Sequence, residues 1–312
     1  MNNSLDYSYE RAIQRNLGLV NEAEQLKLKK SKIAIAGVGA VGGSYLINLA
    51  RMGIENFIIA DPDVFEVPNL QRQAGAFISQ LGLKKVEVLK KMVLDINPGI
   101  NIETFENGVT EANIDAFLTD VDLVIDGIDA FQISPRRLLY KKAKEKGIYV
   151  FCSAPIAFGA TLQVFDPSKI SFDQFFGIDD DMTRAEQIAS FLLGLAPKLL
   201  SKSQMDEKYV DFIEEKGPAL ASTISLCAGI ITTEIVKFLL NKKKINCVPC
   251  SYYFNAFHWS ISKRKSRPIP FKWLKKILIQ IAFRKYPSLK ELHWKEKNEK
   301  NISQQSLCLR HL

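Results

Sequence analysis

Cysteine and histidine are scarce in this chain of 312 residues. The five cysteines are Cys152, Cys227, Cys247, Cys250 and Cys308, and the three histidines are His258, His293 and His311. An odd and sparse set of cysteines in a chain of this length excludes the disulfide framework of small secreted domains, so we expect free thiols. Cys152 and Cys227 are expected to be buried small hydrophobic residues. The histidines are too scattered to propose as metal ligands.

Long apolar runs are also missing. No stretch reaches the roughly 18 apolar residues that a membrane-spanning helix needs. The first ten residues, MNNSLDYSYE, are polar and acidic, unlike a signal or transit peptide. The apolar share of 47% and the charged share of 24% are ordinary for a soluble protein. Because the sequence shows neither a spanning run nor a targeting peptide, we expect a cytoplasmic location.

Acidic residues are scarce in one part of the chain, the segment near the C-terminus. Residues 261–312 hold 14 Lys or Arg against 3 Asp or Glu, so the formal net charge of +8 arises in this segment. We expect Lys263, Arg264, Lys265 and Arg267 to lie in an exposed linker before Pro268-Ile269-Pro270.

An amphipathic helix is predicted over residues 271–285. Its predicted apolar face is Trp273, Leu274, Ile277, Leu278 and Ile281, while Ile279 and Phe283 interrupt the polar face. Three interpretations are open: a helix packed on the domain or on a dimer partner, a basic helix on an anionic membrane surface, and a contact with RNA such as tRNA.

The chain is organised around a glycine-rich turn. An uncharged apolar run, Ile33 to Ala36, is typical of a buried strand, and Gly37-Val38-Gly39-Ala40-Val41-Gly42 follows it directly, before a helical pattern. This context predicts a nucleotide-binding turn: Gly37 permits the tight turn, Gly39 lets a phosphate approach, and Gly42 lets helix and strand pack closely. The N–H groups at the start of the helix favour an anion.

Three side chains after the second strand suit a nucleotide. Asp61 ends that strand, at the place where a carboxylate binds a ribose hydroxyl. In the irregular segment that follows, Asn69 offers an amide and Arg72 a guanidinium that matches phosphate oxygens. Lys85 opens the next helix, where the helix dipole disfavours a cation, so we expect an anion nearby.

A third apolar strand, Asp122 to Asp126, is followed by Gly127-Ile128-Asp129. The carboxyl ends of strands meet at the ligand edge of a doubly wound sheet, which would bring Asp129 beside the glycine turn. Mg²⁺ prefers one or two carboxylates together with phosphate oxygens, so Asp129 is the candidate magnesium ligand. Asp126 is expected to cap the following turn.

Strands and helices alternate from residue 33 to residue 165, which predicts an α/β, Rossmann-like fold with a doubly wound, mostly parallel sheet. We expect an N-terminal helical arm (1–30), a main domain (31–260) and a basic C-terminal helical tail (261–312). The main domain contains a long crossover insertion (166–220), a buried helix (221–240) and a last strand (252–257).

The motifs together resemble the ThiF/MoeB/HesA superfamily, the adenylyltransferases related to ubiquitin-activating enzymes. The resemblance covers residues 8–257 and rests on the glycine turn, Asp61, Asn69-Leu70-Gln71-Arg72-Gln73, Lys85, Asn97-Pro98 and Asp126-Gly127-Ile128-Asp129. It implies a protein that binds ATP with Mg²⁺. A carboxylate, often the C-terminus of a ubiquitin-like or carrier protein, would attack the α-phosphate to give an acyl adenylate and pyrophosphate.

The resemblance also implies residue roles. Asp61 would hold the ribose, Asp129 the magnesium ion, and Asn69, Arg72 and Lys85 the triphosphate. Tyr9-Glu10-Arg11 is similar to the family's Tyr-x-Arg, whose arginine crosses a dimer interface to the partner's ATP. A homodimer with Arg11 acting in the partner's site is therefore expected.

The chain departs from the family pattern in three places. Many relatives bind zinc through two CxxC pairs, but this chain has only Cys247-Val248-Pro249-Cys250, so we expect no structural zinc and a non-zinc subgroup. The crossover lacks the thioester cysteine of ubiquitin-activating enzymes. Ile128-Asp129-Ala130 replaces the usual Thr-Asp-Asn, which removes a polar neighbour of Asp129.

Two further functions are open. One is an enzyme similar to the tRNA threonylcarbamoyl-adenosine dehydratases of the same superfamily, which the basic tail suits. The other is an inactive dimeric scaffold, against which the presence of Arg72, Lys85 and Asp129 argues.

Overall fold

The computed structural model describes residues 7–195, 204–265 and 272–309, with the side chains of 272–274 and 300–309 left undescribed. One sheet of nine strands organises the described residues. The strands are β1 (Lys32–Ala36), β2 (Asn56–Ala60), β3 (Asn101–Phe105), β4 (Leu123–Asp126), β5 (Tyr149–Cys152), β6 (Pro155–Ile156), β7 (Gly159–Phe165), β8 (Cys250–Asn255) and β9 (Ser260–Lys265).

The strand order places a topological switch point at β1. The order is β3-β2-β1-β4-β5-β7-β8-β9, with β6 paired to β7. Strands β1 to β5 run parallel, and the strands from β6 onward pair antiparallel. The chain leaves β1 towards β2 and β3 and returns on the other side as β4, so the crevice between the carboxyl ends of β1 and β4 is the expected ligand site.

Helices cover both faces of the sheet. They are α1 (Tyr9–Ile13), α2 (Glu22–Lys30), α3 (Ala40–Arg51), α4 (Lys85–Ile96), α5 (Ile114–Phe117), α6 (Ile133–Glu145), α7 (Phe172–Phe176), α8 (Arg184–Leu195), α9 (Ala221–Leu239), α10 (Lys272–Lys285) and α11 (Pro287–Leu309). Side chains of β1 alternate between two cores: Ile33 and Ile35 pack with α3, α4 and α9, whereas Ala34 and Ala36 face the core of α5 to α8. The α/β, doubly wound fold predicted from the sequence is confirmed.

Helix α9 is long and apolar enough to cross a membrane by length and composition, with a mean hydropathy of 1.4. It packs against α3 and β7, and Cys227, Ile231 and Ile235 are buried there. The prediction of a buried core helix is confirmed, because its apolar residues face protein.

The start of the tail differs from the prediction. Ser260–Lys265 form β9, which pairs antiparallel with β8, so Lys263, Arg264 and Lys265 lie in an edge strand and not in a linker. The predicted boundary at residue 260 falls inside this hairpin. Lysine is common on edge strands because its charge discourages pairing with another chain. In this segment the consecutive basic residues replace the alternation of apolar and polar residues that would predict a strand. Residues 266–271, with Pro268-Ile269-Pro270, lie outside the described part.

Helix α10 packs on the domain with a different face from the one predicted. Ile279, Ala282 and Phe283 are buried against the core that includes α8, while Ile277 and Ile281 are 47% and 40% exposed. Ile279 and Phe283, which interrupt the predicted polar face, therefore belong to the packing face. This arrangement supports the first of the three interpretations of the tail. The short helix α7, and α11 beyond the predicted tail helix, were not predicted.

Candidate active site

The glycine turn lies at the switch point. Gly37 follows β1 with φ of +82°, a conformation that side chains disfavour. A methyl group on Gly37 would lie 2.7 Å from the backbone nitrogen of Ile128 and would overlap the carbonyl oxygen of Gly127, which follows β4. A methyl group on Gly42 would overlap the Gly37 carbonyl oxygen. The tight turn predicted at Gly37 and the close packing predicted at Gly42 are both present.

Helix α3 begins at this turn and offers free N–H groups. Its N-cap, Gly39, has no side-chain capping hydrogen bond, and Gly39, Ala40 and Val41 line a cavity. The N-terminus of a helix carries partial positive charge and unpaired donors, so the turn suits a phosphate. The contact of Gly39 with a phosphate stays a prediction.

Asp61 follows β2 at the edge of the same cavity. One carboxylate oxygen accepts the N–H of Val38 at 2.8 Å and the other accepts the N–H of Asp63 at 3.0 Å. Burial raises the pKa of the Asp61 carboxyl, and the charge of Lys85 opposes this rise. Each oxygen has a further lone pair, so the carboxylate could still accept from a ribose hydroxyl.

The segment after Asp61 brings Arg72 but not Asn69 to the cavity wall. Arg72 lines the cavity and donates to the carbonyl of Pro68 at 2.9 Å. The amide oxygen of Asn69 accepts the N–H of Glu66 at 3.0 Å, which shapes its own loop. Gln73 also lines the cavity, and its buried carbonyl oxygen has no hydrogen-bond partner among the described residues. The sequence placed Gln73 in the motif but gave it no role.

Lys85 is buried and paired. Its Nζ lies 2.8 Å from Oδ2 of Asp63, a side chain that is 62% exposed. The anion expected near Lys85 is therefore present in the protein itself. Because Asp63 faces solvent, the pair can open towards a phosphate at little desolvation cost.

Asp129 lies inside the cavity, where it is accessible to solvent and yet surrounded by protein. One of its oxygens accepts the N–H of Phe131 at 3.0 Å. Burial raises the pKa of the Asp129 carboxyl, and that hydrogen bond and Arg136 oppose the rise. The described residues contain no group of three or more His, Cys, Asp or Glu side chains that could hold a metal alone. One accessible carboxylate fits Mg²⁺, which takes its other ligands from phosphates and water.

Arg136 is a site residue that the sequence analysis missed. Its Nε lies 2.8 Å from Oδ2 of Asp126 in a fully buried pair, and Tyr140 donates to the same oxygen at 3.0 Å. Its other nitrogens donate to the carbonyls of Asp129, at 3.1 Å, and Ile128. Arg136 thereby fixes the loop that carries Asp129. A lone Arg at the start of a helix gives no sequence signal for this role.

Asp126 caps the turn as predicted. Its second oxygen accepts the N–H of Ile128 at 3.1 Å.

One cavity of about 1230 Å³ joins these residues. The predicted residues on its wall are Gly37, Gly39, Asp61, Arg72, Lys85 and Asp129. Both positive and negative side chains line this wall, which suits a charged nucleotide and its metal ion.

Arg11 lies elsewhere. Helix α1 is tied to the far end of the sheet, because the Tyr9 hydroxyl donates to the carbonyl of Gly53 at 2.8 Å, between α3 and β2. Arg11 is exposed on this helix. It does not line the cavity of its own chain, and an action in a partner's site stays a prediction.

The thiols behave as predicted. Cys152 and Cys227 are free and buried. Burial raises the pKa of Cys227 to about 12 and raises that of Cys152 as well. Both thiols are held in the unreactive protonated form.

The sequence is similar to those of known adenylyltransferases and activating enzymes. A probable molybdopterin-synthase adenylyltransferase from Pyropia yezoensis is 29% identical over 264 residues, which are 82% of this chain and 67% of the relative. Ubiquitin-like modifier-activating enzyme 5 from Caenorhabditis elegans is 28% identical over 75% of this chain and 53% of its own length. The chain thus spans about half to two thirds of these relatives.

A solved structure shows the same fold. Escherichia coli MccB, solved with ATP, superposes with a TM-score of 0.63 at 18% identity, over 86% of this chain and 74% of MccB. The model of the ThiF family matches residues 9–270, and this range contains the nine-stranded sheet, the glycine turn and the predicted site residues on the cavity wall. The chain belongs to the ThiF family.

Proposed function

We propose that this protein is an ATP-dependent adenylyltransferase that activates a carboxylate as an acyl adenylate. The observation that carries the proposal is the cavity itself: Arg72, Lys85 and Asp129 come from three separate segments and line the same space as the Gly37 turn. Adenylyltransferases among the relatives support the reaction class. A scaffold without activity has no use for this convergence.

The chain's own residues divide the work. Asp61 would accept from the ribose, and the α3 N-terminus with Arg72 and Lys85 would neutralise the phosphates. A carboxylate oxygen of the acceptor attacks the α-phosphorus, and the bond from that phosphorus to the bridging oxygen breaks. Pyrophosphate leaves with the bonding electrons, and the acyl adenylate remains. Positioning and charge neutralisation supply most of the catalysis in such transfers.

Asp129 is the residue that would hold Mg²⁺. The ion, when bound, withdraws electrons from the phosphate oxygens and favours pyrophosphate as the leaving group. Arg136 does not itself contact the substrate. It fixes the backbone carbonyls of Ile128 and Asp129 and so holds the Asp129 carboxylate in position.

The acceptor in our proposal is the C-terminal carboxylate of a peptide or small carrier protein, or a small acid. One relative is named for a ubiquitin-like modifier and another for molybdopterin synthase. We also propose a homodimer in which Arg11 completes the partner's site. Mixing Arg11→Ala and Lys85→Met subunits should restore activity that each variant lacks alone. No restoration would count against action in the partner's site.

Product analysis tests the reaction class. Incubation with ATP, Mg²⁺, an accepted carboxylate and hydroxylamine should yield AMP, pyrophosphate and the hydroxamate of the acid in equal amounts. Formation of ADP and phosphate would contradict adenylation. A carboxylate found on tRNA would favour the dehydratase-like alternative, and ATP binding without products from any acid would favour the scaffold.

A further inference from the structure

The cavity is larger than one nucleotide site needs. Pockets for a single small ligand span roughly 300–1,000 Å³, whereas this one measures about 1230 Å³. Its polar part carries Asp61, Arg72, Lys85 and Asp129. A second part, which we call the apolar compartment, is lined by Phe191, Leu192, Val210, Phe212, Ala282 and Tyr286.

A chain of contacts joins the two parts. Asp129 accepts the backbone N–H of Phe131, whose ring lies 5.6 Å from the ring of Phe212. The ring of Phe212 in turn lies 5.5 Å from that of Tyr286, just after α10. The apolar compartment therefore begins beside the candidate magnesium ligand, where the proposed function places the reacting carboxylate.

The compartment is built by the crossover and by the C-terminal tail. Phe191 and Leu192 belong to α8 of the crossover, and Val210 and Phe212 follow later in the same crossover. Ala282 and Tyr286 lie beyond residue 270, where the match to the family model ends. The tail thus supplies a wall of the cavity from outside the range that matches the family model.

Charged groups at the rim are already engaged. Glu215 accepts from Gln132 at 2.6 Å and pairs with Arg184. Lys216 lies 3.4 Å from Glu214. A glycine-rich acceptor tail would place unpaired backbone amides against this apolar wall, and burying them without hydrogen bonds is unfavourable. An apolar group would be removed from water at the same wall, and that burial is favourable.

We infer that the acceptor carboxylate is carried on a bulky apolar group, which occupies the apolar compartment while the carboxylate faces the nucleotide beside Asp129. This inference rests on the proposed function. Two sources share the chemistry: a free apolar acid and a peptide that ends in an apolar residue.

The test compares matched acceptors. Octanoate, N-acetyl-Ala-Gly-Leu and N-acetyl-Ala-Gly-Gly are titrated into the full chain with a non-hydrolysable ATP analogue and Mg²⁺, and each is then used in ATP–pyrophosphate exchange. Octanoate or the leucine peptide should bind and react at least tenfold better than the glycine peptide, because burial of one large apolar side chain is worth about that factor or more. Which of the two is preferred identifies the source.

Ala282→Phe fills the compartment, and Ile281→Phe places the same ring on the exposed side of the same helix. Ala282→Phe should weaken the binding of the preferred apolar acceptor at least tenfold, and Ile281→Phe should leave that binding unchanged. Affinity for the ATP analogue, which tests folding, should be the same in both. Val210→Phe fills the compartment from another wall and should repeat the loss.

The outcomes separate the two claims. Equal or better use of the glycine peptide, or equal effects of Ala282→Phe and Ile281→Phe, would overturn the inference and leave adenylation standing. Binding of an apolar acid that Ala282→Phe abolishes, without exchange for any acid, would uphold the compartment and contradict adenylation. No binding of either apolar acceptor would overturn the inference.

Discussion

Arg136 and Asp126 form a buried ion pair, with Nε 2.8 Å from Oδ2, directly beneath the loop that carries Asp129. The guanidinium also lies 4.5 Å from the ring of Phe191, so it contacts the crossover as well. A buried charge is tolerated only with its partner, and this pair therefore ties the stability of the domain to the geometry of the site.

Arg136→Met should leave the Asp126 carboxylate buried and unpaired. We expect a loss of about 3–5 kcal/mol in the free energy of unfolding, measured with urea. Arg137→Met is the matched control on the same helix. Arg137 pairs with the partly exposed Asp173 and Asp180, so its loss should cost about 1 kcal/mol or less. Equal costs for the two variants would contradict the structural role of Arg136.

Gly37→Ala and Gly82→Ala separate backbone strain from close approach. Both glycines have φ of +82°, but a methyl group on Gly82 would meet nothing within 4 Å. Gly82→Ala should therefore cost about 1 kcal/mol. Gly37→Ala should cost more than about 3 kcal/mol and abolish ATP binding, because the turn must move away from Gly127. Similar unfolding free energies would show that the contact with Gly127 is unimportant.

Much of this geometry is readable from sequence because it is local. A glycine turn between a strand and a helix, and acids at strand ends, are set by neighbouring residues, and Asp61 and Asp129 lie where the pattern placed them. Arg136 was missed because its partner is chosen by the packing of α6 on the sheet. The buried face predicted for α10 was wrong because packing against α8 determines which of its side chains are buried. Strand β9 was missed because its pairing depends on the free edge of β8.

Lys85→Met should weaken the binding of ATP about 10–100-fold, since a hydrogen bond to a charged group is worth about 1.5–3 kcal/mol. Affinity for AMP, which lacks the outer phosphates, should hardly change. Lys84→Met is the control, because Lys84 is partly exposed, does not line the cavity and donates to the carbonyl of Pro62 at 3.2 Å. Calorimetric titration checks the prediction. Parallel losses for ATP and AMP would place Lys85 away from the triphosphate.

Asp129→Asn should stabilise the protein without nucleotide at pH 7 while removing activity. The raised pKa of Asp129 means that its contribution to stability is complete below the unfolded value of about 3.9 and is lost as pH rises through the folded value. The variant should therefore melt at a higher temperature than wild type at neutral pH, and the difference should vanish below about pH 4. Thermal melts from pH 3.5 to 7.5 test this, with Asp181→Asn as an exposed control. A lower Tm at pH 7 would contradict the raised pKa of this carboxyl.

ATP–pyrophosphate exchange tests the central claim most directly. Wild type, Asp129→Ala and the control Asp181→Ala are assayed with Mg²⁺ and a cell extract divided into small-molecule, protein and RNA fractions. We predict exchange that requires one fraction, persists in Asp181→Ala and disappears in Asp129→Ala, and that fraction names the acceptor class. Absence of exchange with every fraction, from a protein that still binds ATP, would contradict an adenylyltransferase.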